Sequence, residues 1–208
     1  MKKIFLILTI VIFATAAFSQ TNLQEVSDAL SKAKVVRGEF SLERFSQKTN
    51  RAIKSSGVFT IAPAHGIIWF TQNPIKTTQV VTKNFMLTEN PHGKRTKIQS
   101  DENKIYLQMA ILTSALFSGD LSAIERSAHL DFSCQEENWR VEIFPNDASI
   151  KAMLEKISIA GKFSKETCVA TEMRIVSKNG DSTFYQLRGH KFFDTLTNNE
   201  KSFFEENP

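Results

Sequence analysis

Residues 36–43, Val36-Arg37-Gly38-Glu39-Phe40-Ser41-Leu42-Glu43, decide the fold class. Val36, Phe40 and Leu42 alternate with Arg37, Ser41 and Glu43 at a period of two, the pattern of a strand with one face buried and one wet. The residues before them keep a different period. Leu23, Val26 and Leu30 recur at helical spacing behind Thr21-Asn22-Leu23-Gln24, a capping-box pattern, so a short amphipathic helix precedes the strand. Downstream, strand-like runs return at 57–62, 66–71, 77–82 and 85–88, separated by the turn signals Pro63-Ala64-His65-Gly66 and Asn73-Pro74. Strands joined by such brief turns predict an antiparallel meander, because parallel neighbours need long crossovers.

The middle of the chain breaks this rhythm. Ile105, Met109, Leu112 and Leu116, widened by Tyr106, Ile111 and Phe117, predict a helix over residues 104–117 that Gly119 stops. Asp120 caps a second short helix carrying Leu121 and Ile124. Strands resume at 130–134, at 139–144 with Trp139, Val141 and Ile143 on one face, and around Ile157 and Ile159, with a short helix near 149–154. Lys178-Asn179-Gly180-Asp181 then places Asn-Gly between runs holding Met173 and Ile175 on one arm and Tyr185 and Leu187 on the other, a clear hairpin. The sum is an α+β, mainly β domain: one strongly curved antiparallel sheet of nine to eleven strands, an incomplete barrel, with helices covering its concave face.

The N-terminus predicts export. Lys2 and Lys3 are followed by an apolar run from Ile4 to Phe13 and small residues up to Ser19, the three-part form of a signal peptide cut after Ala16 or Ser19. The apolar run is too short to span a bilayer, and no later stretch is long enough. This divides the chain into a signal peptide, 1–19, and one domain, 20–208, with no linker or repeat to suggest a second. The segment contains no cysteine for lipid attachment. Without Lys2 and Lys3, 24 basic residues stand against 22 acidic ones, a near balance that argues against nucleic-acid binding. The densest basic cluster, Lys94-Arg95-Thr96-Lys97, follows Asn90-Pro91-His92-Gly93 and reads as a solvated loop.

No catalytic or metal motif emerges. GxSxG, HExxH, P-loop and GxGxxG patterns are absent, and His65, His92, His129 and His190 are dispersed. Cys134 and Cys168 lack metal-ligand spacing. In an exported chain they form one disulfide if their strands pair, or remain two free buried thiols. The composition points instead to apolar capacity: 17 Phe against two Tyr and two Trp. Phenylalanine offers area without polar demands, and a wide apolar helix over a half-open sheet has the form of a lid above a ligand cavity.

Val36-Arg37-Gly38-Glu39-Phe40, Phe45-Ser46-Gln47, Gly57-Val58-Phe59, Gly66-Ile67-Ile68-Trp69 and Pro74 follow in an order and spacing that resemble the LolA-like outer-membrane lipoprotein carrier family. The Phe144-Pro145 strand end and Asp181-Ser182-Thr183-Phe184-Tyr185-Gln186-Leu187 extend the resemblance more loosely over the rest of the chain. It implies a LolA/LolB-like incomplete barrel and a soluble, monomeric periplasmic carrier. The carrier shields acyl chains of lipoproteins, or of another lipid-tailed cargo, between an inner-membrane release complex and an outer-membrane acceptor, without cofactor or catalysis. Phe59, Ile67, Trp69, Met109, Leu112, Leu116, Met153 and Ile157 are the candidate cavity-lining residues. One departure stands out. The family's arginine before the proline six residues ahead of the strand tryptophan is Ala62 here, so the resemblance implies a lid-fastening interaction that is absent or differently built. The alternative function is an envelope sensor or interaction protein using the same fold, and a lipid- or glycan-metabolising enzyme is a third that no motif supports.

Overall fold

The computed structural model describes residues 21–99, 116–164 and 166–205. Eleven strands form one wholly antiparallel sheet: β1 (Val35–Ser46), β2 (Arg51–Ala62), β3 (Gly66–Asn73), β4 (Thr77–Val81), β5 (Phe85–Glu89), β6 (Arg95–Gln99), β7 (Ala128–Gln135), β8 (Asn138–Pro145), β9 (Leu154–Phe163), β10 (Cys168–Ser177) and β11 (Ser182–Phe193). Their order is β6-β5-β4-β3-β2-β1-β11-β10-β9-β8-β7, so the two ends of the chain's strand sequence meet at β1 and β11, and among the described residues β6 and β7 are unclosed edges. The predicted meander is thus present. Its one addition is β6, where a solvated loop was expected: Arg95 opposes Glu89 and is ion-paired to it, while the Lys97 ammonium lies over the Phe85 ring. The cluster is charged because an edge strand needs charge to resist further pairing.

Four described helices accompany the sheet: α1 (Leu23–Ser31), α2 (Leu121–Glu125), α3 (Ala148–Lys151) and α4 (Asn198–Phe204). The cap of α1 sits one residue later than its sequence suggested. Asn22 Oδ1 accepts from the Glu25 amide and Glu25 returns a carboxylate to the Asn22 amide, so the box runs 22–25. Gly119 takes φ +80° after helical residues 116–118, as expected of a helix stop. The rest of the helix expected over 104–117, like the expected signal peptide, lies outside the described residues. Among the described residues, no helix is long and apolar enough to cross a membrane.

The sheet is covered unequally on its two faces. The inner face holds the main core: Phe40, Phe59, Trp69, Val141, Ile157, Ile159 and Tyr185 pack with Val26 and Leu30 of α1, Leu116, and Ile124 of α2. β3 reads Ile67-Ile68-Trp69-Phe70 without alternation because it is buried on both sides. Ile67 and Trp69 face the main core, and Ile68 and Phe70 face a second one with Val80, Phe85, Leu87 and Phe203 beneath α4.

A buried charge holds α4 down. Glu200, 5% exposed, accepts hydrogen bonds from Arg37 Nε at 2.7 Å, Thr60 Oγ1 at 2.7 Å and the Thr197 amide at 2.7 Å. Thr197 is also the N-cap, so one carboxylate closes the capping box and salt-bridges the helix to β1. Burial would raise the Glu200 carboxyl, but these donors outweigh it and hold it down at about 2.

Candidate functional site: the aromatic inner face

Four rings occupy the centre of the inner face. Phe40 on β1 meets Trp69 edge-on at 5.2 Å between centroids and Tyr185 at 6.0 Å, and Phe59 lies 6.1 Å from Trp69. Trp69 and Tyr185 approach to 4.5 Å although β3 and β11 are three positions apart in the sheet, about 14 Å at ordinary strand spacing. Two long rings leaning together over Phe40, on a sheet that curls toward this face, span that distance. Burial pushes the Tyr185 phenol upward, and Arg44 nearby offsets part of the rise.

Glycines seat two of the aromatic side chains. Gly38 opposes Phe59, and a Cβ on Gly38 would lie 2.7 Å from the Phe59 ring. Gly161 opposes Trp139, whose ring would come within 2.6 Å of an added Cβ. In both pairs the missing side chain makes room for a ring to lie flat on the strand.

Five of the eight candidate residues fall into this one cluster. Phe59, Ile67, Trp69, Leu116 and Ile157 are all buried and packed together in the main core. Met153 does not join them: it sits in the turn between α3 and β9, 53% exposed, because the short helix ends at Lys151 and β9 turns inward only from Leu154. Met109 and Leu112 lie outside the described residues. Phe40 and Tyr185, which complete the ring cluster, were not among the candidates, although the alternating runs that contain them carried the signal.

Cys134 and Cys168 are free thiols. The pairing of strands that a disulfide required is not met, because β8 and β9 separate β7 from β10. Burial pushes the Cys168 thiol up to about 12, an inert state. The largest groove near them, about 1480 Å³, runs between α1, the β7–β8 and β9–β10 turns and the end of β11, lined by Ala29, Cys134, Phe163, Cys168 and Phe192 among others. Among the described residues, no group of three or more His, Cys, Asp or Glu is placed to hold a metal ion.

The chain is similar in structure to a LolA superfamily protein. That protein, from Nitrosomonas europaea, shares 10% identity over 88% of this chain and 96% of its own, with a TM-score of 0.47. A DUF1329 family protein from Desulfovibrio piger matches at 10% identity, 88% and 95% coverage and a TM-score of 0.48. An outer membrane lipoprotein-sorting protein domain from Vibrio parahaemolyticus matches at 11% identity, 88% and 96% coverage and a TM-score of 0.49. No family model matches the sequence, and no curated protein does.

Proposed function

We propose that this protein is a non-enzymatic periplasmic carrier, which shields the acyl chains of lipoproteins or of another lipid-tailed cargo between the inner and outer membranes. The observation that carries the proposal is the gathering of Phe40, Phe59, Trp69 and Tyr185 on the inner face of a sheet that does not close. At about 0.8 kcal/mol per methylene, exposing a chain of about 16 carbons costs roughly 12 kcal/mol, so aqueous transit needs an apolar wall. Phe59, Ile67, Trp69, Leu116 and Ile157 form that wall in this proposal, with Met109 and Leu112 contributing from the expected lid helix. Residues 1–19 serve as the export signal and 20–208 as the carrier. Cargo enters from an inner-membrane release complex and leaves to an outer-membrane acceptor that binds it more tightly, since transfer without an energy source runs down an affinity gradient.

The test is cargo release. The purified chain, added to inner-membrane vesicles holding acylated lipoproteins, is expected to bring them into the soluble fraction. Leu112→Glu is expected to abolish this while leaving the circular dichroism of the sheet unchanged. Cargo that stays with the vesicles when the unaltered chain is present would rule the proposal out.

A further inference from the structure

The two edges of the sheet are built differently. β6 is five residues long and carries Arg95 and Lys97, the usual guards of an exposed edge. β7 is eight residues, Ala128–Gln135, and contains no Lys, Arg or Pro. It runs in unbroken one-to-one register with β8, so no bulge twists it away from solvent.

The register fixes which backbone groups of β7 are free. The hairpin sets Gln135 opposite Asn138 across the two-residue turn Glu136-Glu137, and the residues flanking such a turn exchange both backbone hydrogen bonds. Exchange then recurs at every second residue, at Ser133, Asp131 and His129. The N–H and C=O groups of Leu130, Phe132 and Cys134 therefore point away from β8, and among the described residues no strand pairs with them.

We propose that β7 pairs with β7 of a second copy of this chain, antiparallel, about a two-fold axis at Phe132. Self-pairing needs free groups opposite free groups, which permits an axis at any residue but none between two residues; Asp131 and Phe132, nearest the middle of Ala128–Gln135, give the longest overlap. An axis at Asp131 sets that carboxylate against its own copy, and like charges directly opposite are unfavourable. The axis at Phe132 instead opposes Phe132 to Phe132, Leu130 to Cys134, Asp131 to Ser133 and His129 to Gln135, with no like-charge pair. Three mutually bonded residue pairs result. Leu130, Phe132 and Cys134 are half-buried side chains packed against the main core. Joining two copies here therefore continues one apolar inner face into the other. The inference concerns assembly, and its test is independent of the carrier function.

Sedimentation equilibrium of the purified chain over a concentration series into the hundred-micromolar range is expected to give twice the chain mass at the upper end. Phe132→Lys, which sets two ammonium groups against each other, is expected to leave a monomer with unchanged circular dichroism. In the unaltered chain, hydrogen exchange at the Leu130, Phe132 and Cys134 amides is expected to slow as concentration rises, while the Asp131 and Ser133 amides stay protected throughout. This exchange pattern decides the matter even where Phe132→Lys fails to fold. A monomer at every concentration, a dimer that Phe132→Lys leaves intact, or concentration-independent exchange at those three amides would overturn the proposal.

Discussion

Glu200→Gln is expected to cost about 3 kcal/mol of stability at neutral pH and to flatten the acid limb of the stability curve. The carboxyl is buried, which taken alone would raise it; the Arg37 guanidinium, the Thr197 amide and hydroxyl and the Thr60 hydroxyl outweigh that and hold it at about 2, against an ordinary 4.5. At about 1.4 kcal/mol per pH unit, the difference amounts to roughly 3 kcal/mol of preference for the ionised, folded state. The folded value lies below the unfolded one, so the unfolded chain binds the proton more tightly. Stability from this group is complete above about pH 4.5 and is lost as pH falls through about 2. Glutamine keeps the shape but not the charge, and it leaves Arg37, whose side chain is only 23% exposed, without its counter-ion. Urea unfolding, measured stepwise from neutral pH toward pH 2, reads both effects. The unaltered chain should lose stability steeply at the acid end, and Glu200→Gln should start lower and lose less. Curves that run parallel on acidification would refute this account and assign the acid loss to other carboxylates, such as Glu142, which its hydrogen bond from Lys156 also holds below the ordinary range.

The ring cluster and the thiols make further predictions. Trp69→Ala is expected to cost about 3–5 kcal/mol, measured by chemical denaturation, because the indole fills the space between Phe40, Phe59 and Tyr185. A loss well under 1 kcal/mol would mean that the site is loosely packed. Gly38→Ala should press on both the Arg188 carbonyl of β11 and the Phe59 ring and cost about 1–3 kcal/mol, with a changed near-ultraviolet circular dichroism that reports the aromatic packing. Alkylation of the folded chain at mildly alkaline pH should label half-buried Cys134 alone, with Cys168 reacting only after unfolding; mass spectrometry showing rapid double labelling would contradict the buried, inert state of Cys168.

The sheet was legible because ten of its eleven strands announce themselves locally. Val36 to Glu43 alternates, Asn179-Gly180 marks the β10–β11 hairpin, and Trp139, Val141 and Ile143 share a face as their spacing requires. What local pattern could not supply was pairing at a distance. Arg37 sits in the deciding stretch as an apparent solvent-facing residue, yet its partner Glu200 lies 163 residues away, so the anchoring of α4 depends on topology. The capping box Thr197-Asn198-Asn199-Glu200 did carry a readable signal for α4 itself. β6 was hidden by its own protection, since lysine and arginine on an edge strand look like a loop. Of the site, Phe59, Ile67 and Trp69 were visible because they lie in the short apolar runs read as strands, and Trp69 also through the resemblance, whereas Phe40 and Tyr185 gain their role only when β11 closes against β1. Met153 misled because a short helix was read three residues too long, which would have turned the thioether inward.

Carriage of acyl chains is tested most directly by native mass spectrometry of the chain purified from the cell envelope without detergent. The account predicts adducts whose mass matches acylated lipid or lipoprotein, lost on Leu112→Glu. Spectra of the bare polypeptide alone, from protein that is folded and freshly isolated, would contradict it.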